Sequence, residues 1–319
     1  MGIKVIKAGL QSSIQDFGRF GFQRYGMAVC GAMDTWALRL GNIILGNQEG
    51  EAGIECTTLG PTLRFEEGQL ICVAGADLSP MIDGVPITMW KPIFVPRTGV
   101  LSFGKPLSGC RSYICFYGGL EVPKVLGSRS TYIKGRIGGW KGRALEKQDQ
   151  IGFRSPYVGT KTEFRWQMDP SLYGNLTIRR IRVTTGPQFE RFDSNALVDF
   201  LSSTFTISKA SDRMGYRLES KPLRLKDKDE MLSTAVTFGT IQVPPQGNAI
   251  ILMADHPTTG GYPVIGQVAT IDLPLLAQMG ALDQIEFDLI TLAEAQELLN
   301  IQNKQLNQLK CAIAFKYEE

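Results

Sequence analysis

The chain has 319 residues, 43% hydrophobic and 20% charged, the balance of a well-cored soluble protein of one large or two ordinary domains. Its 34 Lys and Arg against 31 Asp and Glu leave a formal charge of +3, too little to attract nucleic acid or a membrane to the whole surface, so any anion site must be local. No run reaches the roughly 18 to 20 apolar residues of a membrane span, and the start MGIKVIKAGL lacks a signal-peptide core; the chain reads as cytoplasmic.

In chain order, GIKVIKAG reads as a strand, and DTWALRLGNIILGN as a helix with Asp34 as N-cap and a stop near Gly46. LRFEEGQLICVAGA, PIFVPRTGVLSFG and RSYICFYGG follow as β-like runs, and the polar segment 155–175 reads as a join between domains. Beyond it come LTIRRIRVTTG, a short helix around 192–202, then TFTISK, AVTFGTIQVPP, AIILMAD and DQIEFDLI. The last segment opens with Thr291 and Glu294 in capping-box spacing and continues with leucines at near-helical intervals. Closely spaced short runs, with 35 Gly and 16 Pro as turn residues, predict a mainly β fold of sandwich or barrel type. The expected division is a first β-barrel-like domain over 1–170, a second over 171–290, and a C-terminal helix over 291–319 packing on the barrels. A faint echo, TLGPTLRF at 58–65 with TTGPQFERF at 184–192 and SSIQD at 12–16 with GTIQV at 239–243, is compatible with two similar β-domains.

Several kinds of machinery are excluded. No two glycines stand two positions apart, so a G-x-G-x-x-G dinucleotide fingerprint is absent. GVLSFGKP at 99–106 resembles a P-loop, but Pro106 replaces the magnesium-binding hydroxyl and removes an N–H. The six cysteines include no C-x-x-C, and Cys72 and Cys115 lie within apolar runs, which argues against a structural metal or disulfides. A single histidine cannot build a multi-His zinc site, and no G-x-S-x-G elbow is present.

Four polar clusters remain. SSIQDFGRFG at 12–21 sets Asp16 and Arg19 among glycines, where a turn held by a local ion pair would also suffice. GSRSTYIKGRIGGWKGR at 127–143 lies in a stretch where six cations, from Lys124 to Arg143, precede the first acid at Glu146. There Ser128, Arg129, Ser130 and Thr131 supply hydroxyls and a guanidinium suited to a carboxylate or phosphate, the bland alternative being a solvated basic loop. SDRMGYRL at 211–218 carries Asp212 and Arg213, either a guanidinium oriented for bidentate binding or an exposed salt bridge. DHPTTGGYP at 255–263, following the strand-like AIILMA, presents Asp255, His256, Thr258, Thr259 and Tyr262 on a loop, a common site design. A satisfied turn residue is the plain reading of His256.

These clusters, in this order and together with GAMDTWALRLGN, GTIQVPPQGNAIILMAD and TTGGYPVIGQV, resemble the allophanate hydrolase subunit 2 family, also called the KipA family, to which the C subunits of 5-oxoprolinases belong. The resemblance runs from about Ser12 to about Phe287. It implies two cyclophilin-like β-barrel domains and a partner, a KipI-like protein that serves as the B subunit of 5-oxoprolinases; in those enzymes an A subunit joins too. That complex opens the lactam of 5-oxo-L-proline to L-glutamate while hydrolysing ATP, whose site need not lie wholly on this chain. The same modules occur fused as the carboxyltransferase part of urea carboxylase, an alternative that would require biotin. A second alternative is a KipA-like regulatory protein that binds a KipI-like kinase inhibitor. Carried onto this chain, the motif implies Asp212, Arg213, Asp255 and Tyr262 as catalytic residues. It implies Ser128, Arg129, Ser130, Thr131, Gln242, His256, Thr258 and Thr259 as substrate-binding residues, with no metal. Arg129 and Arg213 would clamp an acid or a phosphorylated intermediate, Asp212 or Asp255 would move protons, and Gln242 and Tyr262 would orient the lactam. His256 would position rather than transfer protons.

Overall fold

A computed structural model of the protein describes residues 2–227 and 231–318. Residues 1, 228–230 and 319, which fall inside the expected domain spans, lie outside the described residues. The chain divides into two compact units: residues 1–19, 30–176 and 305–319 form the first, and residues 20–29 and 177–304 the second.

The first unit is built on two sheets. One has the strand order Gln150–Gly152, Gly2–Lys7, Thr62–Phe65, Val100–Phe103, Pro80–Ile82, Val85–Pro86; the other has Gln11–Gln15, Gly53–Thr57, Ser108–Phe116, Gln69–Asp77, Ile93–Val95. Alternating residues of the first sheet (Ile3, Val5, Leu63, Phe65) share one core with Ile14, Ile54, Val73, Ile114 and Phe116 of the second. The opposite face of the second sheet contributes Leu70, Cys72, Ala74, Tyr113 and Cys115 to another cluster with helix α1, Thr35–Ile44. Its two central strands are therefore covered on both sides, which explains why LICVAGA and SYICFY are unbroken apolar runs rather than alternating ones. Helix α1 comes so close that a Cβ at Gly41 would lie 2.8 Å from Cys115 Sγ.

The edge strand Gln11–Gln15 is not left open. Thr131 N donates to Ile14 O at 2.9 Å and Leu145 N to Ser12 O at 2.8 Å, so the 131–145 segment covers the edge. The segment 155–175 packs within this unit, whose break from the second follows directly at 176–177: Phe164 and Met168 are buried, and Tyr157, Trp166 and Tyr173 pack against the same cluster as α1.

The second unit contains a closed barrel of seven strands, in the order Arg180–Thr185, Val264–Val268, Thr240–Gln242, Ile250–Leu252, Gly215–Glu219, Phe205–Ile207, Gln284–Leu289. Closure is by a parallel pairing of the first and last of these, with the other contacts antiparallel. Helix α2, Ser194–Ser202, stacks Phe200 on Phe287 with centroids 4.7 Å apart. A short helix α3, Leu273–Ala277, was not evident in the hydrophobic pattern. The final helix α4 spans Leu292–Glu318; within the first unit its Leu306 and Ile313 join the α1 cluster, and Tyr317 donates to Ile44 O at 2.9 Å. None of these helices is long and apolar enough to cross a membrane.

The expected caps are present: Asp34 accepts from Ala37 N at 2.8 Å, and Thr291 and Glu294 bond reciprocally. Helix α2 is capped as well, by Asp193, which accepts from Ala196 N at 2.7 Å. The repeat echo divides. SSIQ and TIQ both lie in strands, but TLGPTLRF enters the strand Thr62–Phe65 while TTGPQFERF turns into a 3-10 helix at Phe189–Arg191. Alternating Leu63 and Phe65 suit a strand; Phe189 and Phe192, three apart, suit a turn.

Candidate functional site

In the first unit, the segments 12–19 and 128–131 are tied together. Asp16 Oδ1 accepts from Gly18 N at 2.8 Å and from Ser128 Oγ at 2.6 Å, and Oδ2 accepts from Arg129 N at 2.5 Å. Asp16 and Arg19 form no ion pair with each other. Arg19, 1% exposed, donates through Nη2 to Ser130 O, and a Cβ on Gly138 (φ +66°) would sit 2.6 Å from that same Nη2. Ser128 and Ser130 share a hydroxyl contact of 2.8 Å, and Thr131 Oγ1 donates to Ile14 O at 3.0 Å. Ser128, Ser130 and Thr131 are thus fully buried with their hydroxyls on protein partners.

Arg129 differs. Its Nε donates to Val122 O at 2.8 Å, and its guanidinium comes within ion-pair range of Glu51 alone among the described acids, 3.9 Å from Nη1. It lines a cleft of about 540 Å³ within this unit, together with Asp16, Asn47, Glu51, Lys124 and Arg154. Glu51 is engaged elsewhere: its oxygens lie 2.5 and 3.3 Å from the Arg154 guanidinium. Farther along the basic stretch, Arg143 binds Asp149 in a bidentate pair at 2.7 and 2.8 Å. Burial works against the Asp149 carboxylate, but hydrogen bonds from Arg143 and the Glu146 amide outweigh it and bring its pKa to about 2.

In the second unit, the loops at 211–215 and 255–262 meet. Arg213 grips Asp255 through Nε and Nη2 at 3.0 and 2.9 Å, and both residues are buried. Asp212 instead accepts from Met214 N at 2.8 Å and Gly215 N at 3.3 Å, shaping the turn that presents Arg213. His256 is buried, with Nδ1 2.6 Å from Pro257 O. A carbonyl only accepts, so Nδ1 carries the proton and Nε2 keeps its lone pair. Desolvation lowers the His256 pKa, opposed by the Pro257 carbonyl and by Asp255. Gln242 is buried beneath this loop, donating to Tyr262 O at 3.3 Å, and Gly260 passes so close that a Cβ there would collide with Gln242 Nε2. Thr258 is half-buried, and Thr259, exposed, opens the two-residue strand Thr259–Gly260 paired with Thr234–Ala235. Tyr262 is 45% exposed. Among the described residues no group of three His, Cys, Asp or Glu side chains is placed to hold a metal ion.

Residues 25–289 match the family model described as carboxyltransferase domain, subdomain A and B. The chain belongs to this carboxyltransferase family. Among relatives, it is 37% identical over 309 residues to the C subunit of the Haemophilus influenzae 5-oxoprolinase, with 97% of each chain covered. It is 35% identical over 310 residues to the C subunit of the Escherichia coli 5-oxoprolinase, covering 96% of this chain and 97% of that one. Among solved structures, the urea amidolyase of K. lactis superposes with a TM-score of 0.89 at 29% identity, over 97% of this chain and 20% of the amidolyase.

Within this carboxyltransferase fold, Glu51, Arg154 and Asn47 line the cleft without any motif announcing them. Glu51 and Arg154 are 103 positions apart; the one local sign is two acids, Glu49 and Glu51, directly after a helix stop.

Proposed function

We propose that this chain is the C subunit of an ATP-dependent 5-oxoprolinase, opening 5-oxo-L-proline to L-glutamate together with the other two components, a KipI-like B subunit plus an A subunit. The observation that carries the reading is the two-way, nearly full-length similarity to the C subunits of two 5-oxoprolinases at 35–37% identity. In the reaction the lactam C–N bond breaks, water supplies the new carboxylate oxygen, and the ring nitrogen leaves as an amine; ATP hydrolysis by the complex drives the opening. Asp255, fixed by Arg213, is the acceptor for the proton of the attacking water, and Tyr262, exposed on the same loop, donates toward the departing nitrogen. Gln242 and His256 hold the 255–262 loop and present polar edges to the ring, with Thr258 and Thr259 beside them. Asp212 holds the Arg213 turn. Arg129 takes a carboxylate or phosphorylated group, and Ser128, Ser130 and Thr131 support the backbone that carries it.

Coexpression with those two partners, followed by measurement of glutamate released from 5-oxoproline and ATP, tests the reading. Activity that depends on this chain is expected; activity no higher than that of the two partners alone contradicts it. A second reading, biotin-dependent carboxyl transfer to urea, is favoured by the TM-score of 0.89 to the urea amidolyase. Urea-dependent consumption of a carboxylated biotin carrier, with no glutamate release, would select it.

A further inference from the structure

The cleft of the first unit contains three cations, Lys124, Arg129 and Arg154, and two acids, Asp16 and Glu51. Both acids are occupied. Asp16 accepts from two backbone amides and a hydroxyl, and Glu51 is held by Arg154 and by Ala52 N at 3.1 Å. The charges without a close partner are cationic. Arg129 has its Nε on Val122 O, which fixes the plane of the guanidinium, while its Nη groups have only the long 3.9 Å approach to Glu51. Lys124 has no ion-pair partner among the described residues.

Backbone geometry sets these two cations side by side. Val125 and Ser128 form an antiparallel bridge with reciprocal hydrogen bonds of 2.8 and 3.3 Å, and between them Leu126 (φ +53°) and Gly127 (φ +79°) are both left-handed. This is the two-residue turn of a tight hairpin. Lys124 and Arg129 are the next residues along its two arms, and both line the cleft. Like charges facing one another across a hairpin repel, and a side chain of Arg129 that is only 16% exposed has less water to screen it than a surface arginine. An anion between the two removes the repulsion.

We propose that this cleft is an oxyanion site, in which the Arg129 guanidinium and the Lys124 ammonium together hold one carboxylate or phosphate group. The proposal deepens the role given above to Arg129 and rests on that reading for its choice of carboxylate probe; the pairing with Lys124 stands on the geometry of one unit. Bidentate guanidinium binding with a second point charge suits either group.

Isothermal titration calorimetry of the full chain with inorganic phosphate and, separately, with 5-oxo-L-proline tests it. At least one of the two binds, more weakly as salt is raised; phosphate alone identifies a phosphoryl site, and 5-oxoproline alone a carboxylate site. Arg129→Ala weakens binding roughly 10- to 100-fold, as expected for loss of hydrogen bonds to a charged group. Lys124→Glu, at an exposed position where folding is not at risk, abolishes it, whereas Lys209→Glu, exposed in the second unit, leaves it unchanged. Wild-type protein that binds neither anion more tightly than roughly 10 mM, or Lys124→Glu protein that binds as the wild type does, overturns the proposal. Failure of the oxoprolinase reading would look different: the assembled complex would release no glutamate while the chain still bound phosphate through Lys124 and Arg129.

Discussion

Each unit places an aspartate and an arginine at the centre of its polar cluster, but the two clusters use their charges in opposite ways. In the second unit Arg213 and Asp255 are locked to each other, two hydrogen bonds deep in a buried setting. In the first, Asp16 binds amides and a hydroxyl, and the arginine whose backbone it holds keeps its guanidinium open to the cleft. The lesson is that an Asp and an Arg close in space define no role until the partner of each oxygen and each N–H is known. A closed pair orients a carboxylate; a carboxylate satisfied by backbone releases an arginine for a ligand.

The largest expected effect breaks the closed pair. Arg213→Ala leaves the Asp255 carboxylate buried without its bidentate partner, which costs about 3–5 kcal/mol. Chemical denaturation measures it, and the double variant Arg213→Met with Asp255→Leu is expected to recover much of the loss, because a pair replaced by apolar groups leaves no buried charge. A loss under about 1 kcal/mol would mean that the pair is more hydrated than its burial implies. Next comes Asp16→Ala, which removes the acceptor for Gly18 N, Ser128 Oγ and Arg129 N together. A loss of about 2–3 kcal/mol is expected, accompanied by weaker anion binding, since Arg129 loses the anchor of its backbone. Unchanged stability would show that the two segments are held by their backbone bonds alone.

Much of this arrangement was legible in local patterns. Two of the three helices were marked by their caps: Asp34 and the reciprocal Thr291 and Glu294 use side-chain oxygens on first-turn amides, a short-range interaction visible as spacing. The four polar clusters were visible too, because Gly and charged residues interrupt apolar runs there. What spacing could not disclose was which partner each charge would choose. Asp16 and Arg19, three apart, suggested a local pair, yet both reach more than 100 positions away, to Ser128, Arg129 and Ser130. Asp212 beside Arg213 suggested the same, yet the bidentate partner is Asp255, 42 positions on. The polar look of 155–175 concealed a packed segment, because a few aromatics at irregular spacing bury as well as a periodic run.

A smaller change separates the hydroxyls from the guanidinium in the first cluster. Ser128→Ala removes one donor to Asp16 and the 2.8 Å contact with Ser130, for an expected loss of about 1 kcal/mol. Anion binding by the open Arg129 should stay within about twofold, a difference under about 0.5 kcal/mol. Thermal denaturation and titration on the same sample check both; a tenfold drop in binding would make the hydroxyl a ligand contact rather than a support.

The smallest effect sharpens the second cluster. His256 is buried beside the closed Arg213–Asp255 pair; desolvation lowers its pKa below the ordinary 6.5, while the Pro257 carbonyl and Asp255 resist the shift. Because the folded protein then binds this proton less readily than the unfolded chain, His256 contributes stability that is fully present above pH 6.5 and is lost as pH falls from there through its folded pKa. His256→Gln, which retains an amide donor toward the Pro257 carbonyl but cannot take up a proton, should flatten that acid-side decline while leaving stability at pH 8 within about 1 kcal/mol of the wild type. Denaturation midpoints between about pH 5 and 8 measure the slope. If the variant declines as steeply as the wild type, the imidazole is hydrated enough to titrate normally, and the neutral, Nε2-open form assigned to it here is not the one held in the loop.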